Sequence, residues 1–203
     1  AWRSELEWDF EKSADLVRRF VEMRALNGSA LIVDDEMAGY MYFVLEEDKG
    51  LIGDIYVRRD LRTVQYENLL IESALGHMMG SPGVMRIESQ LMMVGHDPYR
   101  PTPRDHCLSV YARNFMRIDL RRAALAKGNI RRPMYVEKWS DHYHDGASQL
   151  IAAAYTGHID ARINDQYRTP AGARRFLHNI VQYPGCGAFY RPASYAAFEA
   201  IGG

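Results

Sequence analysis

Apolar and polar positions along the first sixty residues change from a helical to an extended pattern. Between Phe10 and Val21 the apolar side chains recur every three to four residues, which predicts an amphipathic helix. Residues 29–57 then contain three apolar, aromatic-rich runs separated by polar turns at 34–36 and 46–50. Short polar turns between such runs join antiparallel strands. We therefore expect a helix followed by a three-stranded antiparallel meander.

A strand, a helix and another strand are predicted next. Apolar residues from Tyr66 to Met78 keep helical spacing until the glycines and proline at 80–83, and residues 84–94 alternate in the manner of a strand. Because a helix separates this strand from the third strand of the meander, the two are predicted to lie parallel.

The second half of the chain contains weaker patterns that predict several further elements. They are two helical turns at 107–114, strands at 116–120 and 133–139, helices at 141–157 and 170–183, and one or two strands at 188–201. The last group begins with helices and ends with strands, as the N-terminal region does, which suggests a degenerate internal repeat. Together the elements indicate an α/β protein with a mixed sheet flanked by helices.

Composition narrows the classes of protein to consider. Apolar residues make up 47% and charged residues 25% of the chain, which is typical of a protein that buries a core. Lysine and arginine number 25 against 26 aspartates and glutamates, so no global basic surface indicates nucleic acid as a partner. The basic cluster between 117 and 132 is interpreted as a solvated loop or a contact for an acidic partner. No apolar run of about 20 residues predicts a membrane span.

Cysteine and histidine positions do not favour a metal or disulfide site. Cys107 and Cys186 lie far apart and lack the spacing of a disulfide framework or of zinc ligands. The histidines within 141–145 are two residues apart and would lie on different helix faces, so we favour a polar helix entry capped by Asp141. This cysteine usage favours a reducing, cytoplasmic location. The chain starts without methionine and stops after an apolar run, so we expect a piece of a longer protein or a processed product.

Two stretches of the chain carry a resemblance to a known family. Residues 52–57, Ile-Gly-Asp-Ile-Tyr-Val, are followed by Arg62 and by a leucine pair at 69–70, and this pattern resembles the core motif of the GCN5-related N-acetyltransferases, the GNAT superfamily. The sequence Ser-Val-Tyr-Ala-Arg-Asn-Phe at 109–115 resembles the place where that superfamily carries a tyrosine before a short turn and a phenylalanine. Residues 165–194 are similar to the opening of a second copy in tandem members of the superfamily.

The resemblance implies an acyl-CoA N-acyltransferase fold, with a splayed central sheet in a first domain at 1–138 and a partial second copy at 139–203. It implies acetyl-CoA as co-substrate and a small-molecule or peptide primary amine as acceptor. Tyr111 would be the general acid, and Asp54 or Glu88 would take a proton from the amine. The residues that would hold the cofactor are Ile55, Tyr56, Val57, Arg62, Thr63, Val64, Gln65, Tyr66 and Glu67.

One departure from the superfamily's pattern leaves a rival hypothesis open. Its phosphate-binding loop has the pattern Gln/Arg-x-x-Gly-x-Gly/Ala; here Arg62 begins the pattern, while Gln65 and Glu67 occupy the glycine positions. Side chains there would crowd the phosphates, and the Glu67 carboxylate would repel them. The alternative is a catalytically degenerate scaffold or the ligand-binding half of a two-domain acetyltransferase. A third hypothesis is a docking half whose strand edges near 188–201 are covered in a homodimer.

Each candidate residue also has an ordinary structural explanation. The Tyr111 ring could simply pack, Asp54 and Glu88 could be solvated charges on strand faces, and Tyr56 could be a strand-forming aromatic rather than part of an acceptor pocket. Arg62 could pair with a phosphate or with a carboxylate at 60 or 67.

Overall fold

The structure is a computed structural model that describes residues 2–94, 97, 100–114, 116, 118–119, 121–123, 133–183 and 188–199. The chain forms two compact units. The first, here called the sheet unit, comprises Val17–Arg113, and the second, the tail unit, comprises the other described residues. The division into domains 1–138 and 139–203 stays a prediction.

The sheet unit is built on the predicted meander. Helices α1 (Trp2–Glu5) and α2 (Glu11–Glu22) come before the strands in sequence, and α2 is the predicted amphipathic helix. Helix α1 belongs to the tail unit, and the boundary between the units falls within α2. Strands β1 (Asn27–Val33), β2 (Glu36–Glu46) and β3 (Lys49–Val57) pair antiparallel in order. The turn between β1 and β2 places Asp34 and Asp35 at φ values of 50° and 61°, the positive values that a tight two-residue hairpin turn requires.

Helix α3 (Val64–Met79) connects β3 to β4 (Arg86–Ser89), which pairs parallel with β3. This confirms the predicted crossover, although β4 is shorter than the predicted strand at 84–94. The result is a mixed four-stranded sheet of order β1-β2-β3-β4, with α3 packed on one face. The buried core consists of Met41, Phe43, Ile52, Ile55 and Val57 from the sheet and Leu70, Ile71, Ala74, Leu75 and Met78 from α3.

The tail unit contains the two predicted helices, α4 (His144–Ala154) and α6 (Pro170–Gln182), packed against each other, with the short α5 (Asp160–Ile163) between them in sequence. The stacked rings of Tyr155 and Tyr167 lie 4.4 Å apart between centroids. Strands β5 (Met134–Lys138) and β6 (Tyr195–Glu199) pair antiparallel in a separate two-stranded sheet. In the described part of the chain, no helix combines the length and apolar character needed to cross a membrane.

The predicted strand at 133–139 is confirmed as β5, which pairs with β6. Two predictions from the sequence need correction. Residues 107–114 contain only the end of a 3₁₀ turn at Asp105–Cys107, since Leu108 takes an extended conformation (φ −106°, ψ 139°). Asp141 lies inside a 3₁₀ turn and is ion-paired with Arg191 at 3.0 Å, so it does not cap a helix. The predicted strand at 116–120 falls partly outside the described residues.

Candidate functional site

Strand β3 continues beyond the end of its partner β4, so the two strands part within the sheet. The parallel ladder joins Lys49–Ile52 to Arg86–Ser89, while β3 stays paired with β2 as far as Val57. The Ser89 hydroxyl donates to the Ile52 carbonyl at 3.3 Å where the strands separate. Within the described residues, the second half of β3 therefore has an open edge on the side away from β2.

The direction of the backbone groups at this open edge follows from the peptide after Val57. The Arg58 N–H donates to the Ala38 carbonyl in β2 at 2.7 Å, so the Val57 carbonyl of the same peptide points toward the open edge. Residues two apart in a strand direct their backbone groups to the same side, so the N–H and carbonyl of Ile55 face that edge too. The Arg62 guanidinium donates to the Val57 carbonyl at 3.3 Å. The N–H groups of Ile55 and Val57 thus point to the side away from β2, where no strand of the described residues pairs with them, although the two residues are only 1% and 2% exposed.

Helix α3 begins close to this edge, and its first turn is capped by a side chain. Thr63 has an extended backbone (φ −134°, ψ 155°), and its Oγ1 accepts a hydrogen bond from the Tyr66 N–H at 3.2 Å. Its carbonyl accepts from the Glu67 N–H at 3.1 Å. The first-turn amides that neither bond uses are those of Val64 and Gln65. A helix start attracts anions through such amides and through its dipole.

Glu67, which occupies a glycine position of the resembled pattern, points into the protein. Its side chain is 5% exposed and forms an ion pair at 2.5 Å with Arg100, whose side chain is 6% exposed. Arg100 also donates to the Asn68 side-chain oxygen at 2.9 Å, and Asn68 donates to the Pro101 carbonyl at 2.8 Å. The carboxylate that was expected to repel a phosphate is therefore neutralised by an arginine of the loop after β4.

The sheet face opposite α3 carries Asp54 together with three tyrosines. The strand register places Tyr42 beside Asp54 and Tyr40 beside Tyr56. Asp54 is 3% exposed and accepts a hydrogen bond from the Tyr40 hydroxyl at 3.0 Å. Burial, and secondarily the charge of Asp54, raise the pKa of Tyr40 well above its ordinary value. The guanidinium of Arg62 lies 5.8 Å from the centre of the Tyr56 ring. This face thus adjoins the open edge.

The other two predicted catalytic residues lie elsewhere in the sheet unit. Glu88 is 8% exposed, is ion-paired with Arg86, and lies opposite Leu51 in the parallel ladder. The explanation of Asp54 and Glu88 as solvated strand charges is wrong, since both are buried. Tyr111 is half-buried in an irregular segment rather than on the expected helix.

The structure therefore brings one subset of the predicted residues together. Tyr56 and Arg62 meet beside the open edge, Asp54 lies on the same sheet face as Tyr56, and residues 63–67 form the N-cap and first turn of α3. Sequence analysis missed Tyr40, which the alternation of β2 could have placed on the same face, and Arg100, for which the sequence contains no signal. A groove of 280 Å³ lies between the C-terminal half of α3, the start of β4 and residues 104–108, and none of the predicted site residues lines it.

No protein-family model, no curated protein and no solved structure matches this chain.

Proposed function

We propose that the sheet unit binds acetyl-CoA and transfers its acetyl group to a primary amine, as an N-acetyltransferase of the GNAT type with an acyl-CoA N-acyltransferase fold. The observation that supports this most is the open edge of β3 beside the start of α3. In this proposal residues 139–203 are a partial second copy of the fold, and the location is the cytoplasm.

The open edge suits the middle of the acetyl-CoA molecule. Its pantetheine arm is a flexible chain with two amides, and such groups bond to an unpaired strand edge as an added strand does. The N–H groups of Ile55 and Val57 face this edge. The pyrophosphate would then lie near the start of α3, where the helix dipole and the Arg62 guanidinium favour anions. The ion pair with Arg100 neutralises the Glu67 carboxylate, which would otherwise repel the pyrophosphate.

In the proposed acetyl transfer the amine attacks acetyl-CoA directly, so the protein itself forms no covalent bond to the acetyl group. The amine nitrogen bonds to the acetyl carbon, the carbon–sulfur bond breaks, and the sulfur leaves with the electron pair and takes up one proton. The ammonium form of the acceptor loses two protons in total, so one proton is released overall. Asp54 is the carboxylate next to the edge that can accept the first proton, and Tyr111 is the proposed donor to sulfur. A strand N–H can stabilise the carbonyl oxygen.

A second candidate function is a non-catalytic scaffold, or the ligand-binding half of a two-domain acetyltransferase. The start of α3 favours it, because Thr63 already occupies the Tyr66 N–H and Gln65 replaces a glycine. Fewer amides then remain for a pyrophosphate than in the resembled loop. The scaffold would bind a protein partner, a second copy of the chain among them, and would not bind acetyl-CoA; the ligand-binding half would bind acetyl-CoA without transferring its acetyl group.

A calorimetric titration of the whole chain with acetyl-CoA separates the two candidates. We expect saturable binding in the micromolar range, with adenosine alone as a weak control ligand. Arg62→Ala should weaken binding by about tenfold, because a charge-assisted contact to phosphate is lost. Arg59→Ala, which removes an exposed arginine from the same loop, should change it by less than about twofold.

Catalysis is then tested by following free thiol release with a panel of primary amines. Tyr111→Phe should lower kcat and leave acetyl-CoA affinity unchanged. Absence of heat and of any thermal shift with millimolar acetyl-CoA would refute the enzyme proposal and favour the scaffold.

A further inference from the structure

The groove of 280 Å³ in the sheet unit, here called the α3–β4 groove, takes no part in the proposed acetyl transfer. It lies between the C-terminal half of α3, the start of β4 and residues 104–108. Its volume is close to the lower limit of about 300 Å³ for small-molecule pockets. None of its lining residues lies at the open edge of β3 or in the first turn of α3. A ligand of this groove would therefore bind apart from acetyl-CoA.

Most of the side chains that line the α3–β4 groove are apolar. Leu75 is 3% exposed, and Ile87 and Leu108 are half-buried and pack against the core. Met79 and Met85 also line the groove and are 51% and 82% exposed. Methionine side chains are flexible and polarisable, so they adapt to apolar ligands. Apolar side chains that stay exposed around one cavity, rather than singly, are typical of a binding site.

The groove is held in shape by hydrogen bonds of the protein itself. The Met85 N–H donates to the Asp48 carbonyl at 2.6 Å, directly before the ladder between β3 and β4 begins. The turn on the other side is closed by the Cys107 N–H, which donates to the Arg104 carbonyl at 2.8 Å. The Arg104 side chain joins this turn to α3 through its ion pair with Glu72. A preformed groove lowers the cost of ordering that binding requires.

The charged side chains that line the groove are two arginines, Arg86 and Arg104. Arg86 pairs with Glu88 and Arg104 with Glu72, so directed N–H groups attract an anion here more than net charge does. Arg104 donates to Glu72 through Nε at 3.0 Å and through Nη2 at 2.6 Å. Its Nη1 group forms no hydrogen bond with the described residues. A carboxylate can accept two parallel hydrogen bonds from the Nη1–Nη2 end of a guanidinium.

We propose that the α3–β4 groove binds a medium-chain alkyl carboxylate. The alkyl chain lies against Leu75, Ile87 and Leu108, and the carboxylate accepts hydrogen bonds from the Nη1 end of Arg104. An alkylammonium ion is excluded by the two arginines, and an alcohol cannot accept a pair of parallel bonds. A carboxylate without an alkyl chain lacks the apolar contact. The proposal does not depend on acetyl transfer, because it uses other residues of the sheet unit.

The proposal is tested with octanoate, octanol and acetate as probes, each titrated into the whole chain at pH 7. NMR follows the methionine methyl signals, and Met79→Leu and Met85→Leu assign the two that belong to the groove. We expect octanoate to shift both signals saturably, octanol to bind about fivefold more weakly or less, and acetate to leave them unchanged. Octanoate should also slow the alkylation of the exposed Cys107 thiol by iodoacetamide, measured in Cys186→Ser so that one thiol is counted.

Two variants of one exposed ion pair should change octanoate affinity in opposite directions. Arg104→Met should weaken octanoate binding by about fivefold and leave octanol unchanged, since the carboxylate loses its donor. Glu72→Gln should strengthen octanoate binding by about two- to fivefold, because the Arg104 charge is no longer balanced. The control Arg58→Met, which removes an exposed and ion-paired arginine outside the groove, should change it by less than about twofold.

Two results would overturn the proposal. One is equal octanoate affinity in wild type and Arg104→Met. The other is a shift of methionine signals throughout the chain without saturation, which indicates detergent-like association. Octanoate binding in a chain that does not bind acetyl-CoA would support the groove and refute the acetyltransferase. Acetyl-CoA binding without octanoate binding would do the reverse.

Discussion

The loop after β4 is joined to α3 by two ion pairs that differ in burial, and this allows a sharp test of what holds the site's helix in place. Arg100 pairs with Glu67, the two side chains being 6% and 5% exposed; Arg104 pairs with Glu72, and those side chains are 38% and 45% exposed. Both arginines come from the same loop and both glutamates from the same helix. Substituting each arginine by methionine removes the charge and keeps a long side chain.

The expected magnitudes follow from burial. Two unit charges about 4 Å apart attract by about 4 kcal/mol at an effective dielectric constant of about 20, and by about 1 kcal/mol in water. Arg100→Met leaves the Glu67 carboxylate buried without its partner, so the free energy of unfolding should fall by about 3–5 kcal/mol. Arg104→Met leaves Glu72 in contact with water and should cost about 0–1 kcal/mol. The double variant Glu67→Met/Arg100→Met should recover most of the loss, because no buried charge remains.

Urea unfolding measured by circular dichroism gives the stabilities, and hydrogen exchange of the α3 amides assigns the loss to the sheet unit. If Arg100→Met costs no more than Arg104→Met, or if the double variant is as unstable as the single one, the buried pair does not hold the helix as argued.

Two further predictions concern a pair of helical glycines and one tyrosine. A Cβ at Gly76 in α3 would meet nothing within 4 Å, whereas one at Gly172 in α6 would lie 2.6 Å from the Gln166 carbonyl oxygen. In thermal unfolding, Gly76→Ala should therefore stabilise by about 0.5–1 kcal/mol and Gly172→Ala should destabilise, although helix propensity favours alanine at both. Tyr40 has a raised pKa from burial and from Asp54, so its stabilising contribution is complete below pH 10 and is lost as the pH rises further. In urea unfolding, Tyr40→Phe should be less stable than wild type by about 1–3 kcal/mol at pH 8, and the difference in the free energy of unfolding should be smaller at about pH 10.5. An equal difference at the two pH values would contradict the predicted pH dependence.

The sequence predicted the parts of the fold that depend on neighbouring residues. Polar turns between short apolar runs identified the antiparallel meander, and an intervening helix identified β4 as parallel. The failure at 107–114 has a local cause, since a few apolar residues at helical spacing are equally compatible with an extended segment. Strand β5 was identified correctly, but strand patterns do not specify a partner, and its partner β6 lies about sixty residues later.

The candidate site was predictable only where its residues follow each other along β3 and into α3. Alternation placed Asp54 and Tyr56 on one face, but whether that face is covered depends on the rest of the fold, and the expectation of a solvated charge was wrong for this reason. The pairing of Glu67 with Arg100 joins residues 33 apart, one on α3 and the other in the segment after β4. No spacing rule connects such positions, so the neutralisation of Glu67 could be found only in three dimensions.

The capping of α3 by Thr63 provides a last test, in which stability and ligand binding should change in opposite directions. Thr63→Ala removes the hydrogen bond that the Tyr66 N–H donates to Oγ1 and should cost about 1 kcal/mol of stability. The same change exposes that amide at the helix start, where a pyrophosphate would accept its hydrogen bond. If the sheet unit binds acetyl-CoA as proposed, calorimetry should show affinity rising several-fold in Thr63→Ala and staying unchanged in Thr63→Ser, which keeps the cap. Weaker binding in Thr63→Ala would mean that the hydroxyl contacts the ligand and that the cap does not compete with it.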